Sequence, residues 1–163
     1  MTKPRGKARK QITVAVSGGF DPIHPGHIRM FAQAKKLGDK LIVILNSDNW
    51  LKKKKGHVFM PQNERKEVIA ALRYVDKVVL TEHKPNPKDM SVASDLKKVR
   101  PDIFANGGDR NEKDAANPKS SLYRDIAVCK KIGIKMVFNV GHGGKVESSS
   151  WLLSNYLKKV SKK

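Results

Sequence analysis

Cysteine is nearly missing from this chain. Cys129 is the only one in 163 residues, so no disulfide can form within the chain, and a reducing, cytoplasmic setting is expected. Its neighbours, Ile126-Ala127-Val128, read as small apolar core and not as the surroundings of a nucleophile. Acidic residues are also scarce: 15 Asp+Glu face 34 Lys+Arg, for a net charge of +19. That field steers anions inward, and nucleotides, phosphorylated metabolites and nucleic acids all qualify. Aromatic residues make up 6% of the chain. With so few rings to stack on bases, any nucleic-acid binding would be weakly sequence-selective and strongly salt-dependent. No segment reaches the ~20 consecutive apolar residues of a membrane span, so no membrane partner is expected. The basic N-terminus is not followed by the apolar stretch of a signal peptide. Two phosphate-binding signatures are missing as well, the G-x-x-x-x-G-K-[ST] loop and the G-x-G-x-x-G dinucleotide turn. The second absence disfavours an α/β flavin- or NAD-binding protein.

What is present is a regular alternation. Residues 1–10 carry Lys3, Arg5, Lys7, Arg9 and Lys10 and read as a flexible basic arm. Residues 11–163 read as one domain, long enough to bury a core. Apolar, β-rich runs are expected as strands at Thr13–Ser17, Lys40–Leu45, Lys77–Leu80, Asp102–Ala105 and Lys135–Val140. They do not alternate with polar residues, which fits strands covered on both faces. Helices are expected at Gly26–Lys36 (with Gly38 as its C′ residue), Pro61–Tyr74, Ser91–Val99, Ser120–Ile132 and Ser148–Val160. In the last, Leu152, Leu153, Tyr156 and Leu157 form the expected core stripe. The alternation predicts an α/β, Rossmann-like fold with a five-stranded parallel sheet and helices on both faces.

The most informative stretch is Gly18-Gly19-Phe20-Asp21-Pro22-Ile23-His24-Pro25-Gly26-His27, between the first strand and the first helix. Glycines let backbone approach a ligand, and a helix start offers free N–H groups with roughly +0.5 charge. His24 and His27, three apart, project from one face of the first turn. Taken alone, such a pair is more often a cap or a surface feature. Its place after the first strand favours a polyanion site. Further along, Lys52-Lys53-Lys54-Lys55 follows the second strand and reads as a solvated loop, part of which can fold over phosphates. Gly141-His142-Gly143-Gly144-Lys145-Val146-Glu147 leads into Ser148-Ser149-Ser150 at a helix start, either a second phosphate cradle or a plain N-cap. Asn106-Gly107-Gly108-Asp109 follows the fourth strand and would be explained as a turn alone.

His24-Pro25-Gly26-His27 resembles the H-x-G-H signature of the cytidylyltransferase-like nucleotidyltransferases. The likeness continues through Ala34-Lys35-Lys36-Leu37-Gly38-Asp39-Lys40, Asn46-Ser47-Asp48, Asn63-Glu64-Arg65-Lys66, Tyr74-Val75-Asp76, Gly107-Gly108-Asp109 and the serine run. Residues 111–119 look like an insertion. The resemblance implies transfer of a nucleoside monophosphate from a triphosphate to a small phosphorylated alcohol or sugar, with release of pyrophosphate. It implies His24, His27 and Lys54 as catalytic residues. Nucleotide contacts would come from Gly19, Phe20, His24, His27, Gly108, Asp109, Ser148, Ser149 and Ser150, and acceptor contacts from Asp21, Lys54 and Arg65. Arg65 is implied as either a phosphate ligand or a brace for the lysine loop. Mg²⁺ is the implied cofactor, carried by nucleotide and water with no metal-ligating side chain assigned, and a homodimer is the implied assembly. Two departures are visible. Gly56 stands where the family has a second lysine, so Lys55 or Lys53 would take over. Gly143 stands where polyol-phosphate members have an arginine, so Lys145 would supply that charge. Some segments resemble CTP-using glycerol-3-phosphate enzymes and others a heptose 1-phosphate adenylyltransferase module, with CTP slightly favoured. The competing expectation is a nucleic-acid-binding protein on an inactive scaffold of the same kind, using the arm, the lysine loop and the Lys158-Lys159…Lys162-Lys163 tail.

Overall fold

The computed structural model describes residues 9–108, 110–141 and 148–161. Its strands are β1 (Thr13–Gly18), β2 (Lys40–Leu45), β3 (Lys77–Leu80), β4 (Ile103–Gly107) and β5 (Lys135–Val140). Its helices are α1 (Pro25–Lys35), α2 (Asp48–Lys55), α3 (Gln62–Ala70), α4 (Ala93–Val99), α5 (Glu112–Ala116), α6 (Ser121–Ile132) and α7 (Ser149–Val160). The strands form one parallel sheet in the order β3-β2-β1-β4-β5. From β1 the chain builds outward to β2 and β3, then crosses back to lay β4 on the other edge of β1. The order therefore reverses beside β1, and the carboxyl ends of β1 and β4 flank the crevice where open α/β sheets bind ligands.

Alternation along β1 explains why both faces are covered. Val14 and Val16 pack with Phe31 and Ala34 of α1 and Ile69 of α3, whereas Ala15 faces Leu96 of α4 and Cys129 of α6. Cys129 is thus core, and burial, helped by Asp125 nearby, pushes its thiol up to about 12. At the amino ends of the strands three carboxylates hold backbone N–H groups: Asp39 that of Ile12, Asp76 that of Leu41 and Asp102 that of Thr13. Arg9, Lys35 and Lys10 pair with these same aspartates. The segments around Gly38-Asp39 and Val75-Asp76 therefore tie the sheet together, far from its ligand-binding end.

Three expectations change. The lysine run is not a loop: α2 is capped by Ser47, whose hydroxyl accepts from the Trp50 N–H, and ends at Gly56 with φ 80°. Four cations in its last turn suit the negative end of the helix dipole. Gly38 is not a left-handed C′ residue; a Cβ there would lie 2.8 Å from the Ile12 carbonyl oxygen, so close approach requires the glycine. The stripe on α7 is not core. Tyr156 and Leu157 are 63% and 64% exposed and Leu152 is also exposed, while Leu153 is half-buried and Ser149 is the helix's buried residue. Amphipathic spacing marks a face that favours cover, and no described element of the chain lies over this one. The stretch from 111 to 119, expected as an insertion, contains the single turn of α5.

Candidate active site

Steric need accounts for the glycines that leave β1. A Cβ on Gly18 would lie 2.7 Å from the Phe20 ring, and one on Gly19 would lie 2.7 Å from the Leu51 side chain. Phe20, at φ 48°, turns its ring inward, edge-on to His27 at 4.9 Å and to Phe31 at 5.0 Å. The loop then reaches His24, the N-cap of α1, with Pro25 in the first helical position.

The two histidines cap one another. His24 Nδ1 accepts the Gly26 N–H at 3.2 Å, and His27 Nδ1 accepts the His24 N–H at 3.3 Å. This is the geometry of a capping box, built from imidazoles in place of a hydroxyl and a carboxylate. Neutral imidazole has one acceptor and one donor nitrogen. With both Nδ1 atoms accepting, each ring carries its proton on Nε2. The rings stack with centroids 3.7 Å apart, and Gly26 leaves room for them, since a Cβ there would meet His24 Cε1 at 2.9 Å. Burial, the His24 ring and the Lys55 ammonium together hold His27 down to about 3. His27 is therefore a neutral N–H donor at physiological pH.

A cavity of about 480 Å³ opens above the carboxyl ends of β1 and β4, within the usual range for small-molecule sites. Gly19, Phe20, His24, His27, Lys54, Gly108, Ser148, Ser149 and Ser150 all line it. Asp109, and the segment 142–147 with Gly143 and Lys145, lie outside the described residues. So do 1–8 and Lys162 and Lys163. Lys54 and Lys55 both reach the cavity wall, whereas Lys53 turns away to Asn86 Oδ1 at 2.6 Å. The Ser149 hydroxyl donates to the Pro22 carbonyl at 2.7 Å. That bond fixes the start of α7 against the histidine loop, so two helix N-termini converge on one space. Ser148, the N-cap of α7, makes no side-chain capping bond.

Two expected acceptor ligands are elsewhere. Asp21 is fully buried, and its carboxylate oxygens accept the Phe59 and Met60 N–H groups at 2.7 and 2.8 Å. Arg65 is 1% exposed and donates to Met60 O, Gly19 O, Asn46 O and Asp48 Oδ1. Neither lines the cavity. Their bonds hold the 56–60 turn and α2 against the glycine loop, a geometry that suits the bracing role, one of the two expected for Arg65.

Sequence reasoning missed part of the wall: Trp50, Met90, Val92, Arg110, Leu122 and Asp125. They belong to no motif. One signal was available, because Leu122, Asp125 and Cys129 share a helix face and an acid sits in that otherwise apolar stripe. Burial pushes the Asp125 carboxyl up to about 7, against the pull of the Val92 N–H and Arg110. Among the described residues no cluster of His, Cys, Asp and Glu is arranged to hold a metal ion.

A crevice that presents N–H donors and ammonium groups from two helix starts and a lysine helix is suited to the oxygens of a polyphosphate, the chemistry that nucleotide-handling α/β enzymes use. Residues 15–135 match the Cytidylyltransferase-like family, and the chain belongs to that family of nucleotidyltransferases. It is 44% identical over 103 residues to "FAD synthase" of Pyrococcus abyssi, an alignment covering 63% of this chain and 66% of that protein. It is 38% identical over 115 residues to "Bifunctional protein HldE" of Pasteurella multocida, covering 69% of this chain and 23% of that one. Among solved structures, a lipopolysaccharide core biosynthesis protein from Thermoplasma volcanium superposes with a TM-score of 0.64 at 27% identity. That superposition covers 82% of this chain and all of the other. No described helix is long and apolar enough to cross a membrane.

Proposed function

We propose that this enzyme transfers the nucleoside monophosphate of a triphosphate, ATP in first place, to the phosphate of a small polyol or sugar phosphate. An oxygen of the acceptor phosphate forms a bond to the α-phosphorus. The bond from that phosphorus to the α,β-bridging oxygen breaks, and its electron pair leaves with pyrophosphate. An ionised phosphate is already a nucleophile, so the protein's contribution is alignment and stabilisation of moving charge. The observation that carries this reading is the mutual capping of His24 and His27, which commits the His27 Nδ1 to the backbone and turns its Nε2–H into a cavity flanked by two helix N-termini. That N–H is the group to meet charge that develops on the bridging oxygen. Lys54 and Lys55 would hold the acceptor phosphate, and the start of α7 the triphosphate.

The slight preference for CTP read from the sequence gives way to ATP. FAD contains adenylate joined to a ribityl phosphate, and relatives named FAD synthase support both an adenine nucleotide and a phosphorylated polyol. Mg²⁺ is proposed as the counter-ion of the triphosphate, with its coordination from nucleotide oxygens and water. Among the described residues no group of three or more His, Cys, Asp and Glu side chains is placed to hold a resident ion.

The test is pyrophosphate release with Mg²⁺, each of the four ribonucleoside triphosphates, and a panel of polyol and sugar phosphates. Release should require both ATP and one phosphorylated partner, and His27→Ala should lower turnover by about 10²–10³, the usual loss for one transition-state donor. A folded His27→Ala variant with parental turnover removes the ring from the chemistry.

A further inference from the structure

The walls of the cavity outside the signature segments gather toward α4 and α6. Trp50 is held there by its own Nε1–H, which donates to the Met90 carbonyl at 2.9 Å. With Met90, Val92 and Leu122 it makes an apolar surface. Asp125 is set into that surface, 5% exposed, with Oδ1 accepting the Val92 N–H at 2.9 Å. Among the described residues no hydrogen bond reaches Oδ2. Arg110 lines the same lobe, its guanidinium donating to Asp114 Oδ2 at 3.1 Å and Ser121 Oγ at 3.4 Å. A carboxylate set into a largely apolar cavity wall gives up most of its hydration, and one of its oxygens is left for whatever enters the cavity. Burial raises its affinity for a proton accordingly. Groups left in that condition in a cleft mark functional positions.

We propose that Asp125 reads the acceptor: its Oδ2 accepts a hydrogen bond from a hydroxyl of the polyol or sugar phosphate, whose carbon chain lies against Trp50 and Leu122. This rests on the function proposed above, in which Lys54 and Lys55 hold the acceptor's phosphate. Asp125 then grips the opposite end, and the molecule is fixed at two points with its phosphate oxygen toward the α-phosphorus. The partner chemistry follows from the charges present. An ammonium head group would satisfy a carboxylate, but Arg110 lies close to Asp125 and disfavours a second cation. An alkyl phosphate offers Oδ2 no donor. A hydroxyl meets the oxygen without added charge. Sites that hydrogen-bond a substrate hydroxyl reject analogues lacking it far more strongly than apolar pockets reject an extra group.

The experiment is calorimetric titration of the full chain. Glycerol 3-phosphate, ribose 5-phosphate and FMN are each compared with n-propyl phosphate and phosphoethanolamine. The non-transferable analogue α,β-methylene-ATP with Mg²⁺ is titrated separately. At least one hydroxylated phosphate should bind about 10-fold or more tightly than n-propyl phosphate. Phosphoethanolamine should bind no better than n-propyl phosphate. Asp125→Ala should bring the hydroxyl preference close to one while leaving the n-propyl phosphate and nucleotide affinities within about 2-fold. Should that variant fail to fold, Asp125→Asn, which keeps the acceptor for the Val92 N–H, should still cut the preference, because a charge-assisted bond becomes a neutral one. A preference that survives either substitution, or is missing in the parent protein, overturns the assignment. So does an equal loss for n-propyl phosphate, which would make Asp125 structural. Failure of the ATP analogue to bind is read independently and counts against the transferase function, not against the acceptor contact.

Discussion

Replacing Arg65 by methionine would remove a guanidinium and keep most of the volume it fills. Four hydrogen bonds go with it: to Met60 O at 2.8 Å, Gly19 O at 2.7 Å, Asn46 O at 2.9 Å and Asp48 Oδ1 at 2.7 Å. The acceptors stay behind at a site where the arginine itself is 1% exposed. Breaking a buried charge pair from one side costs about 3–5 kcal/mol. Asp48, whose side chain keeps 27% exposure, can recover some hydration, which places the loss toward about 3 kcal/mol. For a chain of this size each kcal/mol moves the melting temperature by about 2–4 °C, so Tm should fall by roughly 6–12 °C. Lysine should rescue little, because one ammonium cannot span acceptors arranged for a planar fork. Thermal unfolding followed by circular dichroism measures this, with KM for nucleotide and acceptor taken well below the transition. Since the same bonds hold the glycine loop and α2, both KM values should rise together. A Tm within about 2 °C of the parent, joined to an acceptor KM raised about 100-fold with the nucleotide KM unchanged, would refute the bracing role and make Arg65 a substrate ligand.

Three further outcomes are expected. His27 is held near 3 in the folded chain, below its ordinary value of 6.5. The unfolded chain therefore binds more protons between those values, and this residue's contribution to stability is lost as pH falls from about 6.5 toward 3. His27→Gln should flatten that acid limb in a Tm-versus-pH series, and an unchanged limb would contradict the burial of a neutral ring. Asp125 works with the opposite sign. Its folded value of about 7 lies above the ordinary 3.8, so stability is lost as pH rises through that window. Asp125→Asn should raise Tm at pH 8, with an upper limit of about 4 kcal/mol, and the gain should vanish near pH 4. Ser149→Ala removes the 2.7 Å bond to the Pro22 carbonyl, about 1 kcal/mol of a typical hydrogen bond. It should raise the triphosphate KM by about 5–10-fold with a small change in turnover, and an unaltered KM would free α7 from any role in nucleotide binding.

Much of the molecule is legible in the chain because it depends on local chemistry. Val14, Ala15 and Val16 read as a doubly covered strand because a parallel sheet buries both faces. Ser120 and Gly133 bracket α6 because a side-chain oxygen and a left-handed glycine satisfy helix ends. His24 and His27 fall on one face because helix geometry places residues three apart together. Four lysines in a row, by contrast, hide a helix whose caps, Ser47 and Gly56, were in plain view. Periodicity on α7 says that Leu152, Tyr156 and Leu157 form a face, but a pattern carries no information about what covers it.

The roles of individual charges were decided only in three dimensions. Asp21 and Arg65 have the residue types of phosphate-site ligands, and their use as clamps depends on Phe59, Met60, Gly19 and Asn46 arriving beside them from elsewhere in the chain. Asp125 is one acid on one helix until folding sets it against Val92, Arg110 and the cavity. Sequence spacing determines which groups share an element and a face. What a charged group does depends on which partners and how much water surround it, and those are set by contacts between residues far apart in the chain.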